Sequence, residues 1–440
     1  MRDLYLNRRF FFMLGGGFCA LVAAFLFPGL YPWVVWGLCM CGALVVADAA
    51  LLYGFGQRVE AWRSMQERFS NGEENTVEIE VENRYPFAVK MRVLDELPVE
   101  FQIRNLVMGG HLLAGETLRE HYALHPVRRG VYRFGQIRVF VRTWFSLIER
   151  RYSFGKGQEI AVWPSFMAMR RYEALALTGT LQGQGLKKRR VAGVASSFDQ
   201  IKPYVRGDDP RTVNWKATAK CNRLMINTYT EEHSQPIYCI IDKGRTMQAP
   251  FRGMTTLDYA INATLALSHI ILKKGDCPGL VTFADKPDTW LKADNRRTQL
   301  GQVAEALYHQ QTHFLESDFD RLCVVLSRRL TTRSLLVLFT NFDTVAGMKR
   351  RLPALKRLAE NHLLFVVFFE NTEIKEAVAQ PARSVRDIYF KALGGSFITE
   401  KRQIVLELER FGIHALLTEP ENLTVRTIES YLMMKARGLV

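Results

Sequence analysis

Several signatures of catalysis are missing from this 440-residue chain. No Walker A glycine loop with its Lys-Ser or Lys-Thr occurs, and no G-x-G-x-x-G follows a strand, so the common phosphate-cradling loops are excluded. A G-x-S-x-G elbow and an H-E-x-x-H zinc helix are also absent. Cysteine is sparse. Cys19, Cys39 and Cys41 lie in the apolar N-terminal region, and Cys221, Cys239, Cys277 and Cys323 are scattered without a C-x-x-C pair. That pattern argues against a disulfide framework and against a cysteine zinc site, and suits reduced thiols in a cytosol-facing domain. No zinc finger or arginine-rich single-stranded tract accompanies the basic balance, so nucleic acid is not expected as a partner.

What is present begins with charge and length. Fifty-nine basic residues face 44 acidic ones, a net charge of +15. An anionic membrane surface is the partner such a balance suggests here. The length implies more than one domain. Phe10 to Phe27 and Trp33 to Tyr53 are almost wholly apolar, each about long enough to span a hydrocarbon core, and only Pro28 to Pro32 lies between them. The expectation is a two-span transmembrane hairpin over residues 1–56. Arg2, Arg8 and Arg9 precede it, Arg58, Arg63 and Arg68 follow it, and the link is uncharged. The positive-inside rule then puts both ends and the soluble domains on the cytoplasmic side of a bacterial inner membrane. Asp48 is a carboxylate inside the second span, a functional candidate by default. Its place near the span's end equally allows an ordinary solvated role.

Residues 57–176 read as a small β-rich, sandwich-like domain. Gln57 to Arg68 continues the second helix in this reading. Asn75 to Asn83 alternates apolar and acidic residues with period two, and Gly130 to Val141 alternates again. Nothing there has catalytic spacing. Residues 177–236 hold a Gly-rich, basic linker and then a dense polar run. Within that run Arg206, Arg211 and Lys220 can pair with Asp208 and its neighbours, Asp209 can cap a helix starting at Pro210, and Trp215 offers packing surface. A folded clasp or partner-binding motif explains these residues without catalysis. The rival reading takes the acids as a metal-assisted hydrolase acting on cell-envelope material.

Residues 237–440 alternate apolar strands with amphipathic helices, which implies a parallel sheet covered on both faces, with ligands at the carboxyl ends of the strands. The first strand ends in Asp242-Lys243-Gly244-Arg245-Thr246, and a later one in Thr340-Asn341-Phe342-Asp343.

The block FDQIKPYVRGDDPRTVNWKATAK resembles the signature of the domain of unknown function 58 family. There a Y-x-x-G-D-x-R-x-I-x-W-x-x-T-A-[RK] block precedes a von Willebrand factor A-like domain, and two membrane helices and a β-rich segment often come first. Tyr204, Gly207, Asp208, Arg211, Asn214, Trp215, Ala219 and Lys220 fall in register. The resemblance implies an α/β von Willebrand factor A-like (Rossmann-type) domain, a protein-binding role, and a MoxR-type AAA+ ATPase as partner. The A-domain metal site is D-x-S-x-S; here Gly244 replaces the first serine. Asp242, Thr246 and Asp343, with Thr298 as a weaker member, are the residues that would hold Mg2+, and a partial magnesium site and an empty remnant both remain open. The expected function is a membrane-anchored adaptor and not an enzyme.

Overall fold

The computed structural model describes residues 3–440 except 57, 104–105, 156, 166–196, 206–207, 209, 231–233, 313–314 and 383. It divides into two compact units, Met1–Trp163 and Pro164–Val440, where the sequence suggested four segments.

The first unit contains β1 (Leu4–Leu6), α1 (Arg8–Leu26), α2 (Tyr31–Tyr53), β2 (Val59–Met65), β3 (Arg68–Ser70), β4 (Asn75–Asn83), β5 (Val89–Asp95), β6 (Val107–Leu112), β7 (Thr117–Leu124), β8 (Gly130–Phe134), β9 (Ile137–Arg142), β10 (Ile148–Phe154) and β11 (Gln158–Trp163). Both helices are long and apolar enough to cross a membrane. The strands form three sheets, ordered β1-β10-β9-β5-β6, β2-β4-β7 and β3-β11-β8. Alternation builds them: in β4 every second residue from Asn75 to Asn83 is buried. Their inward side chains, among them Val77, Ile79, Val139, Val141 and Val162, share one core.

The expected extension of α2 through Arg68 does not occur. Gly56 adopts φ +72°, which ends the helix geometry, and Val59–Met65 pairs antiparallel with β4 as a strand. The hairpin is not a separate domain either. Leu52 of α2 is fully buried in the β core, and its carbonyl accepts from the Tyr85 hydroxyl at 2.9 Å. Asp48 is neither solvated nor free for a membrane role. It is fully buried, and its carboxylate accepts from the backbone N–H of Leu147 and of Ile148, both at 3.0 Å, and from the Thr143 hydroxyl.

The second unit contains β12 (Ser197–Pro203), α3 (Trp215–Cys221), β13 (Met225–Thr230), β14 (Pro236–Asp242), β15 (Pro250–Phe251), β16 (Met254–Thr255), α4 (Thr256–Lys273), β17 (Cys277–Phe283), β18 (Pro287–Leu291), α5 (Gln299–Tyr308), α6 (Phe319–Arg329), β19 (Leu335–Phe339), α7 (Val345–Asn361), β20 (Leu363–Phe369), α8 (Thr372–Ala379), α9 (Val385–Arg410), β21 (His414–Thr418) and α10 (Leu423–Ala436). Its main sheet runs β18-β17-β14-β19-β20-β21. All neighbours are parallel except the antiparallel edge strand β18. Strands such as β19 are buried at every residue because both faces are covered. α4, α5 and α10 pack on one face, and α6, α7 and the second half of α9 on the other. The chain order reverses between β14 and β19, which makes the crevice there the switch point of an open α/β sheet.

Candidate functional site

Asp242 closes β14 at that switch point and is 1 % exposed. One carboxylate oxygen accepts from the Gly244 N–H at 2.8 Å and from the Ser317 hydroxyl. The other accepts from the Thr340 hydroxyl at 2.7 Å. Burial pushes its pKa up, opposed by the Ser317, Thr340 and Gly244 hydrogen bonds and by the Arg351 guanidinium. Ser317 was not anticipated from sequence. It comes from the loop between α5 and α6, and no local pattern marks it.

Gly244 has a steric reason. A Cβ there would fall on the Ser317 hydroxyl and 3.0 Å from the Asp242 carboxylate. The hydroxyl missing at position 244 is thus replaced in space by Ser317. Thr246 lies nearby through its backbone: its carbonyl accepts from Asn341 Nδ2 at 3.3 Å. Asn341 Oδ1 in turn accepts from Lys401 Nζ at 2.6 Å, and the Phe342 carbonyl accepts from the same ammonium at 2.5 Å. Lys401 is buried, and burial lowers its pKa to about 8, with the Asp343 charge opposing.

Two of the expected metal ligands are therefore placed otherwise. Asp343 is exposed and bears electrostatically on Lys401, while Thr340, three residues earlier, meets Asp242. Thr298 lies at the wrong end of the sheet. It precedes α5, whose first residue, Gln299, donates to the carbonyls of Pro278, near the start of β17, and of Lys292, at 2.9 and 2.8 Å. The set does not fit a magnesium ion. Asp242 is engaged by three internal donors, the second carboxylate is exposed and bears only electrostatically on Lys401, and no three of His, Cys, Asp and Glu gather as a metal-holding group among the described residues. A cleft of about 500 Å³ opens beside Ser317. It carries both signs of charge, from Asp285, Glu316, Asp320, Arg350 and Arg351.

The signature block forms a clasp on the antiparallel ribbon β12–β13. Asp208 accepts from Lys202 Nζ and the Val205 N–H, both at 3.0 Å, and these bonds lower its pKa. Lys202 is thus a basic partner of Asp208 that the sequence reading did not name. Arg206, Gly207 and Asp209 lie outside the described residues. Asn214 caps α3 by accepting from the Ala217 N–H at 3.0 Å, and its amide donates to Asn227 at 2.8 Å. Lys220 sits in the last turn of α3 and is exposed; Arg211 belongs to the exposed turn Pro210–Thr212. Tyr204 donates its N–H to the Leu224 carbonyl, and Asn214 donates its N–H to that of Met225, so residues 204, 214 and 224 are gathered together. The packing surface that Trp215 offers faces outward: the residue is 73 % exposed, and Val205 and Leu224 are exposed with it. Asp208 is thus held by Lys202 and the Val205 N–H, Asp242 by Gly244, Ser317 and Thr340, and Asp343 bears electrostatically on Lys401.

An α/β sheet with a buried carboxylate at its switch point, preceded by this clasp, defines the class. Residues 200–374 match the model of the family described as "Protein of unknown function DUF58", the family that the signature resembles. A curated relative, the uncharacterized protein YeaD of Bacillus subtilis, is 22 % identical over 283 residues, 62 % of this chain and 64 % of that protein; the match thus spans less than two thirds of its length. Among solved structures, the conserved hypothetical protein BatB of Bacteroides thetaiotaomicron is 12 % identical, covers 46 % of this chain and 99 % of that one, and has a TM-score of 0.30. An aerotolerance-related membrane protein of Bacteroides fragilis is 13 % identical over 30 % of this chain and 67 % of that one, with a TM-score of 0.23. Two helices of this chain, Arg8–Leu26 and Tyr31–Tyr53, are long and apolar enough to cross a membrane.

Proposed function

We propose that this protein is a membrane-anchored adaptor whose α/β unit, a von Willebrand factor A-like domain, captures a protein partner on the cytoplasmic side of a bacterial inner membrane. The partner that the family resemblance supplies is a MoxR-type AAA+ ATPase. The A-like reading is supported by the sheet order, with its antiparallel edge and its switch point at Asp242. The cytoplasmic placement is supported by the arginines flanking the hairpin.

One observation carries the binding role. The signature block holds Trp215 exposed beside Val205 and Leu224, on a scaffold fixed by the Asn214 and Tyr204 backbone bonds. An exposed tryptophan accompanied by other exposed apolar side chains has the composition of a binding hot spot. The mixed-charge cleft beside Ser317 suits a polar segment of the same partner. In this reading capture needs no magnesium ion at Asp242.

The test is co-purification of the full chain with a MoxR-type ATPase. The double variant Trp215→Ser/Val205→Ser is expected to weaken capture by a factor of about ten or more, as loss of a hot spot does, with no change in melting temperature. Unchanged capture would sink the role of the clasp. Loss of capture in Asp343→Ala instead would move the contact to the strand ends.

A further inference from the structure

The loop joining β9 to β10 leaves its two largest side chains outside the core. Thr143, Ser146 and Leu147 are buried, whereas Trp144 is 85 % exposed and Phe145 is 42 % exposed. The turn that projects these rings is firmly built. Ser146 takes φ +53°, an unfavourable backbone for a residue with a Cβ, and its hydroxyl donates to the Thr143 carbonyl at 2.9 Å.

The same loop is tied to both apolar helices. Asn7, which caps α1, donates Nδ2 to the Ser146 carbonyl at 2.8 Å and its N–H to the Leu147 carbonyl at 3.0 Å. Asp48 of α2 accepts from the other side of the loop, at Leu147 and Ile148. Residues 7, 48 and 143–148 therefore lie at one level. That level lies at the β-unit end of the hairpin: the exposed Arg8 and Arg9 open α1, Met13, Leu44 and Val45 pack against the β core, and Leu52 is fully buried in it. β1 adds to the same rim. Leu6 lies opposite Ile148, and Tyr5 and Leu6 are both exposed.

Large exposed apolar side chains at such a level call for a cover. Tryptophan with its polar N–H, next to other aromatic and aliphatic groups, suits the boundary between headgroups and acyl chains. We propose that the loop Thr143–Leu147 is a membrane-interface anchor. Trp144 and Phe145, flanked by Tyr5 and Leu6, lie in the headgroup–acyl boundary of the leaflet that the hairpin enters, and Arg8 and Arg9 face the lipid phosphates. The β-rich unit then rests on the bilayer in a fixed orientation and does not swing on a tether. This rests on the reading of α1 and α2 as membrane spans.

The test places the full chain in phosphatidylcholine–phosphatidylglycerol vesicles containing a phospholipid with a diazirine near the glycerol end of one acyl chain. After irradiation, adducts are mapped by mass spectrometry. The expected result is adducts on the hairpin and on residues 143–147, with none near Ser153. Ser153 is an exposed residue six positions beyond Leu147, on β10, about 20 Å away at 3.3 Å per residue. The double variant Trp144→Ser/Phe145→Ser, which changes only exposed side chains, is expected to lose the loop adducts while keeping those of the hairpin. Hairpin adducts without loop adducts would overturn the anchor, as would loop adducts unchanged in the variant. Absence of adducts on the hairpin itself would overturn the membrane reading, and the anchor with it.

Discussion

Asp48 and Asp242 sit in different units and share an unusual condition. Each is buried, and each accepts three hydrogen bonds. Their donors differ. Asp48 takes two backbone N–H groups and one hydroxyl; Asp242 takes one backbone N–H and two hydroxyls. A backbone N–H cannot turn elsewhere when its acceptor is removed, whereas a hydroxyl rotates to another partner. The first carboxylate therefore acts as a latch that holds a loop against a helix. The second holds hydroxyls that could regroup.

That difference sets the ranking of two substitutions. Asp48→Ala strands the N–H groups of Leu147 and Ile148 and should destabilise the first unit by about 2–6 kcal/mol, at ~1–3 kcal/mol for each unmet buried donor. Asp242→Ala strands only the Gly244 N–H and should cost about 1–3 kcal/mol. Thermal unfolding of the full chain in detergent measures both, with hydrogen exchange assigning each transition to its unit. Asp48→Asn keeps one acceptor oxygen and is expected to fall between wild type and Asp48→Ala. Equal losses at the two aspartates would show that donor type does not matter here.

Both aspartates stood out in the sequence, but their full partner sets did not, because most of those partners are remote. Thr143 is 95 residues from Asp48, and Ser317 and Thr340 are 75 and 98 residues from Asp242. Local pattern served where structure is local. The alternation of Asn75–Asn83 marks β4 to the residue, and the apolar run Leu363–Phe369 marks β20. It failed where the pattern was mixed. α9 runs from Val385 to Arg410, yet only the stretch from Val405 reads as amphipathic. Its first half exposes Val385, Ile388, Tyr389 and Phe390 and contains Gly394-Gly395, so no polar face signals a helix. The antiparallel strand β18 begins at Pro287, which is tolerated at a sheet edge and hides the strand from pattern reading.

Lys401 extends the comparison to a buried cation. Its pKa falls from 10.5 to about 8 because burial disfavours the ammonium. Between those values the unfolded chain binds a proton that the folded chain has released. Stability should therefore rise with pH across that window, with a slope approaching about 1.4 kcal/mol per pH unit at its middle, and this contribution is lost as pH falls through about 8. Lys401→Met is expected to flatten the slope. Urea unfolding from pH 7.5 to 10.5 measures it, and an equal slope in wild type and variant would show that another group is responsible.

The smallest effect concerns Gly244. A serine there would force the Ser317 hydroxyl off Asp242 while offering its own, so one hydrogen bond replaces another. Gly244→Ser and Ser317→Ala should each cost about 1 kcal/mol, the net value of one hydrogen bond. Combined, they should cost less than the sum, because the second change removes the collision that the first creates. Melting temperatures of the four chains, each with and without magnesium, test the replacement. Additive losses would show that positions 244 and 317 do not compete for the same place. A magnesium-dependent rise in wild type would show that Asp242 gives up its internal donors for an ion. A rise only in Gly244→Ser would show that the missing serine alone separates this strand end from an ion site.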